Sequence, residues 1–405
     1  MSVVFDRPYQ FVPPHRGGLW PSLIQTFRIV DRYLKIKEGV VGFECRSLEY
    51  LQASLDRGDG ILLAPNHCRY ADPLVLGWPA RELGTHVYAM ASWHLFNKGR
   101  FDAFAIRKMG GFSINREGTD RQSLETAIEL LATAERPLIL FPEGSTNRTN
   151  DILKPLLDGV SFIARSAARR RANASGGRVV MHPIGIKYVC DSDITDWADR
   201  QLARIEQRLG WQRPMDQSIL QRTIRLAEGL LSLKEVQYFG ESQCGELPAR
   251  RDNLIAHLLV RSEQRLRIDP KDEDVRRRVR TIRSEAVSKY FSANGDPAER
   301  ARLRNDTAAA ELAQDLLSYP NCYLQADQVT DTRIVETIQR MQETLFGTAD
   351  CSVPLRAVIQ CDEAITVPAE RAARGQRDPL MDQLRDRLTV MVSALSKEAR
   401  PSPNP

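Results

Sequence analysis

Two residues whose types and spacing could do chemistry stand at His67 and Asp72, in the string Pro65-Asn66-His67-Cys68-Arg69-Tyr70-Ala71-Asp72. A histidine becomes an effective general base near neutral pH when a carboxylate fixes its tautomer and stabilises its protonated form. The pair follows the apolar run Gly60-Ile61-Leu62-Leu63-Ala64, which reads as a buried strand ended by Pro65. It therefore falls on a strand-end loop, where open α/β sheets carry their chemistry. An H-x4-D pair alone is a weak signal, and a satisfied core histidine is the plain alternative.

Three further strings add to it. Gly110-Gly111-Phe112-Ser113-Ile114-Asn115-Arg116-Glu117 puts an arginine after a short apolar segment. Leu138-Ile139-Leu140-Phe141-Pro142-Glu143-Gly144-Ser145 is a second buried-strand pattern, ending in Pro-Glu-Gly. Val179-Val180-Met181-His182-Pro183-Ile184-Gly185-Ile186 is a third, interrupted by a proline. In this order and at these intervals, the four blocks resemble the glycerophospholipid acyltransferase family. Its patterns are N-H-x4-D, a glycine-led block closing on arginine, F-P-E-G, and an apolar-Pro-apolar strand. The resemblance runs from about Ile61 to Ile186.

The resemblance implies transfer of a fatty acyl group from a thioester, acyl-CoA or acyl carrier protein, to a lysophospholipid hydroxyl. The leading acceptor is 1-acylglycerol-3-phosphate, giving phosphatidic acid. Glycerol-3-phosphate or another lipid alcohol is the near alternative, and a non-catalytic lipid-binding scaffold the distant one. His67 would take the hydroxyl proton and Asp72 would orient and support it. The attacking oxygen belongs to the acceptor, so no protein nucleophile is needed. Asn66 would fix the loop. Arg116 and Arg148 are candidates for the acceptor phosphate, because guanidinium binds phosphate bidentately. Arg116 matches the family's second block. Arg148 departs from the pattern, since Ser145-Thr146-Asn147 separates it from the F-P-E-G string. Glu143 would help bind the acceptor, and the Gly144 amide is a candidate oxyanion donor. Pro183 would shape an acyl channel, and His182 would pack. Cys68 reads as a packed thiol. No metal site and no cofactor are expected: the spacing is not H-E-x-x-H, and G-x-G-x-x-G and Walker strings are missing.

The elements that must position these residues alternate. Strands are expected at 40–45, 61–64, 86–89, 112–114, 138–141 and 179–188, and helices at 48–55, 73–83, 98–109, 121–133 and 159–172. This is an α/β pattern with a mostly parallel sheet flanked by helices. From 196 to 347 nearly every segment reads as helix, mixed in charge and mostly solvated. Asp269-Pro270 and Asp296-Pro297 read as helix starts. Strand character returns at 355–361 and 364–367, and a final helix spans 379–398. The expected organisation is an N-terminal segment (1–42), an acyltransferase domain (43–195 with 351–398), a helical insertion or C-terminal region (196–350) and a disordered tail (399–405). Residues 19–37 carry Trp20, Leu23, Ile24, Phe27 and Val30 at helical spacing, with Arg28, Arg32, Lys35 and Lys37 nearby. Such a helix could rest on a membrane surface or pack on the core.

The chain has 405 residues, 42% hydrophobic and 27% charged, with a net charge of +5 that suits anionic partners. No window approaches a transmembrane length, and the first residues lack a signal-peptide core. Seven unevenly spaced cysteines argue against a disulfide framework and for a reducing cytosol, with the protein on the membrane periphery. No nucleic-acid signature accompanies the charge. The runs at 169–171 and 276–280 read as exposed basic faces.

Overall fold

The computed structural model describes residues 5, 7–118, 120–146, 148–270, 273–292, 296–370 and 378–402. Helices α1 (Leu19–Thr26) and α2 (Ile29–Tyr33) lead through a π-helical turn (Leu34–Glu38) into β1 (Val40–Arg46). Then come α3 (Leu48–Asp56), β2 (Gly60–Pro65), α4 (Asp72–Val75), α5 (Gly77–Glu82), β3 (Tyr88–Ser92), α6 (Arg100–Lys108) and β4 (Gly111–Ile114). These are followed by α7 (Arg121–Thr133), β5 (Leu138–Ile139), α8 (Gly159–Ser175) and β6 (Val179–Cys190). The helical region comprises α9 (Thr195–Leu209), α10 (Ile219–Phe239), α11 (Leu247–Leu266), α12 (Val275–Ser292), α13 (Pro297–Leu316) and α14 (Asp331–Phe346). Strands β7 (Leu355–Cys361) and β8 (Ile365–Thr366) and helix α15 (Pro379–Ser396) follow.

The strands form one sheet in the order β1-β7-β6-β2-β5-β3-β4, with β8 also on β6. Strands β7 and β8 run antiparallel to β6, and the other neighbours are parallel. The sheet is thus α/β and mostly parallel, as expected, and residues after the helical region complete it. Strand alternation divides β2 between two cores. Ile61 and Leu63 pack with residues of α9 and α14, while Leu62 and Ala64 pack with α7, α8 and α15.

Pro183 sits inside a central strand, where its missing N–H would normally break a ladder. It falls where β6 changes partner, after its pairing with β8 and before its pairing with β7, so no ladder bond is lost there. His182 packs, as expected: its ring nitrogens lie 2.9 Å from the Asp362 carbonyl and 2.9 Å from Ser54 Oγ.

Several expectations need correction. The helix expected over 73–83 is two short ones, because Pro79 has no N–H to donate to residue 75. The helix expected across 19–37 breaks at Arg28, which adopts φ +50°. Asp269-Pro270 does not start a helix. Instead the Asp274 carboxylate caps α12, accepting from the Arg276 and Arg277 amides at 2.9 and 3.2 Å. Asp296 does cap α13, accepting from the Ala298 amide. The helical region is not mostly solvated throughout: every residue of α14 from Ile334 to Gln342 is buried. Nor are the basic runs simply exposed, since Arg276 reaches the Pro155 carbonyl, Arg278 pairs with Glu263, and Arg171 binds the carbonyls of Ala132 and Arg178. At the chain end, Pro401 bridges to Thr330 and the Ser402 amide donates to Val329. Residues 403–405 of the expected tail lie outside the described residues.

Helix α14 should therefore behave as core. Ile338, fully buried against the sheet, should cost about 2–5 kcal/mol when truncated to Ala, whereas the exposed Leu233 of α10 should cost under about 0.5 kcal/mol. Urea unfolding of the two variants checks this. Equal small effects would show that α14 is not integral to the fold.

Candidate active site

Strand β2 ends at Pro65, yet its neighbour β6 continues, and its main-chain groups still need partners. Two asparagine side chains supply them. Asn66 donates to the Ile186 carbonyl (3.0 Å) and accepts from the Ile186 amide (2.7 Å). Asn150 does the same at Tyr188, accepting from its amide at 2.9 Å. The two loops are thus spliced onto β6, and both ends of the Asn66 amide are engaged in holding the His67 loop.

His67 and Asp72 do meet. His67 Nδ1 lies 2.8 Å from Asp72 Oδ2, and Asp72 is fully buried. The carboxylate also accepts from the Arg69 amide (2.9 Å) and from the Tyr188 hydroxyl (2.7 Å). Burial, and then the charge of Asp72, pushes the Tyr188 phenol well above its usual range, so it stays protonated and donates. A carboxylate fixed by three donors cannot swing away from the imidazole. The ring is stacked on Phe141 at 3.9 Å between centroids. Its outer nitrogen, Nε2, lies 3.1 Å from Thr146 Oγ1 and is the atom available to a reacting hydroxyl. Cys68 is a packed thiol, its pKa raised well above normal by burial, with Sγ 3.7 Å from Asp72 Oδ1.

Glu143 is buried and ties two loops together. Its Oε1 accepts from the His67 amide at 2.7 Å and its Oε2 from the Lys154 amide at 3.0 Å. Gly144 adopts φ +72°, a conformation that favours glycine, and a Cβ there would lie 2.3 Å from Leu157 Cδ1, so that side chain would have to shift. The Gly144 amide donates to the Phe141 carbonyl at 3.0 Å. This turn bond engages the group expected to face the oxyanion.

The two arginines have separate surroundings. Arg148 pairs with Glu343 of α14 at 2.5 Å and lies 4.7 Å from the Tyr70 ring centroid. Its charge is neutralised within the protein, unlike that of a free phosphate ligand. Arg116 follows β4 and makes no hydrogen bond or ion pair among the described residues. Burial, and then the neighbouring Arg283, lowers it to about 10. Next to it, Glu117 joins the β4 loop to α12. It accepts from Arg283 at 2.6 Å and from Trp93 Nε1 at 3.1 Å, and His94 Nε2 lies 3.2 Å away. Among the described residues, no group of His, Cys, Asp and Glu is placed to hold a metal ion.

Sequence reasoning paired His67 with Asp72, which do meet, but missed Tyr188, Thr146, Asn150 and Glu117. Tyr188 lies 116 positions from Asp72, so no local spacing could have linked them.

Burial raises the Glu117 carboxyl, but His94, Arg283 and Trp93 outweigh it and bring the pKa to about 2 from 4.5. A depressed carboxylate stabilises the fold above its unfolded value and loses that contribution as pH falls toward its folded value. Glu117→Gln should therefore cost about 3 kcal/mol at pH 7. The gap from wild type should shrink below pH 4.5 and close near pH 2. Denaturation at several pH values checks this, and a pH-independent gap would contradict it.

Residues 42–187 match the family model described as Acyltransferase. Over 110 residues the chain is 32% identical to a 1-acyl-sn-glycerol-3-phosphate acyltransferase of Streptococcus pneumoniae, covering 27% of this chain and 38% of that relative. The chain thus spans well under half the length of the curated relative it matches. The family-model match spans His67, Asp72 and Glu143, and the two matches support the glycerophospholipid acyltransferase resemblance.

Proposed function

We infer, taking the acyltransferase-family segment at residues 42–187 as the premise, that this protein is an O-acyltransferase. It moves a fatty acyl group from a thioester to a hydroxyl of a glycerophosphate-type lipid. The leading acceptor is 1-acylglycerol-3-phosphate, and the donor is acyl-CoA or acyl carrier protein. The observation that carries this reading is the buried His67–Asp72 contact at 2.8 Å, which leaves Nε2 as the proton acceptor.

In the reaction, the acceptor hydroxyl approaches His67 Nε2 and gives up its proton as its oxygen attacks the thioester carbonyl. The imidazolium that forms is stabilised by Asp72 through Nδ1–H. The tetrahedral intermediate collapses, the carbon–sulfur bond breaks, and the Nε2 proton passes to the departing thiolate. The products are an ester and a free thiol, with no protein nucleophile consumed. Tyr188 and the Arg69 amide hold the carboxylate still through both proton transfers. Thr146, within hydrogen-bond reach of Nε2, can guide the incoming hydroxyl.

Thiol release from long-chain acyl-CoAs, with and without 1-acylglycerol-3-phosphate, tests this. Release should require the lysolipid, and His67→Ala should lower it by about 10²–10⁴-fold. Lysolipid-independent release that still needs His67 would make the protein a thioesterase. An active His67→Ala would remove the proposed mechanism.

The same reading places the protein at a membrane surface. No described helix is long and apolar enough to cross a membrane. Helices α1 and α2 instead turn Ile24 and Val30 inward while leaving Leu19, Phe27 and Ile29 at 69, 62 and 51% exposure. On α6, Phe101 is 79% exposed, and Phe104 meets Trp20 edge-on at 5.2 Å. Arg28, Arg32, Lys35 and Lys37 are exposed in the same segment. An apolar ridge beside basic residues suits an anionic bilayer. Phe27→Ser with Phe101→Ser should cut sedimentation with phosphatidylglycerol vesicles several-fold without loss of thermal stability. Unchanged sedimentation would move the membrane contact elsewhere.

A further inference from the structure

One face of α14 meets both loops of the candidate site. Arg333, Glu336, Gln339 and Glu343 recur at three- and four-residue steps, so they share one side of the helix. Each reaches a different point. Arg333 Nε donates to Asp151 Oδ2 at 2.6 Å, and Glu336 Oε2 accepts from the Asn150 amide at 3.2 Å. Gln339 Oε1 accepts from Arg69 Nη2 at 3.0 Å, and Glu343 Oε2 lies 2.5 Å from Arg148 Nη2. Arg69 stands between His67 and Asp72 in the loop after β2. Arg148, Asn150 and Asp151 belong to the loop after β5, which also carries Thr146.

These contacts end close to His67. The Arg69 amide donates to the Asp72 carboxylate that holds the His67 ring. The Arg69 guanidinium lies 5.4 Å from the ring centroid of Tyr188, whose hydroxyl donates to the same carboxylate. Gln339 is itself fixed, because its Nε2 donates to the Asp350 carbonyl at 2.9 Å, which leaves Oε1 turned to Arg69. On the other loop, Arg148 closely follows Thr146, whose hydroxyl lies 3.1 Å from His67 Nε2. Arg148 adopts φ +60°, a left-handed conformation that residues other than glycine rarely take. Such a backbone persists only where surrounding contacts over-determine it. Here they come from Glu343 and from the Tyr70 ring of the His67 loop, 4.7 Å from the guanidinium.

We propose that α14, which lies outside residues 42–187, is the template that sets the His67 and Thr146 loops against each other, with Gln339 and Glu343 as positioning residues for His67. Arg148 is then a tether and not a ligand of the acceptor phosphate. The effect on proton transfer rests on the acyl-transfer reading, whereas the holding of the loops stands without it.

Gln339→Ala, Glu343→Gln and Arg148→Ala in the full chain test this. The Glu343 side chain is 31% exposed, so Glu343→Gln leaves the helix packed. Thr344→Ala is the control, since Thr344 is exposed on α14 and its hydroxyl donates to the Arg340 carbonyl. Amide hydrogen exchange should quicken about tenfold at residues 68–71 in Gln339→Ala and at 148–151 in the other two, with β7 at its wild-type rate. In acyl transfer to 1-acylglycerol-3-phosphate, kcat should fall about tenfold while KM stays within about twofold. The Arg148→Ala/Glu343→Gln double variant should be no slower than Arg148→Ala alone, because the two residues act as one pair. A raised KM at unchanged kcat in Arg148→Ala, with a lowered KM in Glu343→Gln, would return Arg148 to the acceptor phosphate and overturn the proposal. Wild-type exchange in folded Gln339→Ala and Glu343→Gln overturns it too, as does faster exchange with kcat unchanged. Faster exchange in a protein whose wild type transfers no acyl group keeps the tether and removes the acyl-transfer reading.

Discussion

A single buried carboxylate, Asp72, fixes the geometry of the candidate site. It has no solvent to satisfy it, so it must be paid in hydrogen bonds, and it receives them from the His67 ring, the Arg69 amide and the Tyr188 hydroxyl. Each donor comes with a structural demand. The ring requires the loop after β2, the amide requires the turn that starts α4, and the phenol requires β6 to lie alongside. Removing any one leaves a buried charge short of a partner, which costs more than the bond itself is worth. The placement of the His67 ring therefore follows from the satisfaction of the Asp72 carboxylate.

Strand β6 is the common reference for these loops. Its main-chain groups past the end of β2 are met by the Asn66 and Asn150 side chains. Glu143 then ties the His67 loop to the loop at Lys154. Polar side chains thus stand in for a strand beyond the end of β2. The His67 loop is held both by these bonds and by packing, since Cys68 and Ala71 lie in the core, and such fixed groups are what a preorganised site needs.

The helical region is built into this arrangement. Helix α14 is buried against the sheet and sends Glu336 to the Asn150 amide, Glu343 to Arg148 and Arg340 over the Tyr319 ring. Helix α12 is clamped to the β4 loop through Glu117. Charge that looked in sequence like solvated surface is in part the lining between two regions. Arg278 with Glu263, and Arg222 with Glu206, show the same use of buried ion pairs within the helices.

The sequence by itself determined the strands and the helices that flank them, because alternation and apolar runs report burial directly. It also determined the H-x4-D pair and the Pro-Glu-Gly string, but not which side of the segment around Trp20 faces inward, since Trp20, Leu23 and Phe27 of its apolar set are exposed and Ile24 and Val30 are half-buried. What it could not give were contacts across long chain separations. Tyr188 on Asp72, Asn150 on β6 and Arg148 on Glu343 join residues whose local sequence carries no sign of the partner. The same holds for Arg276, which reads as one of several similar arginines until α12 is laid over the loop after β5. Local patterns encode which face of an element is buried, whereas the identity of a buried charge's partner depends on how elements far apart in the chain pack, and only the tertiary structure decides that.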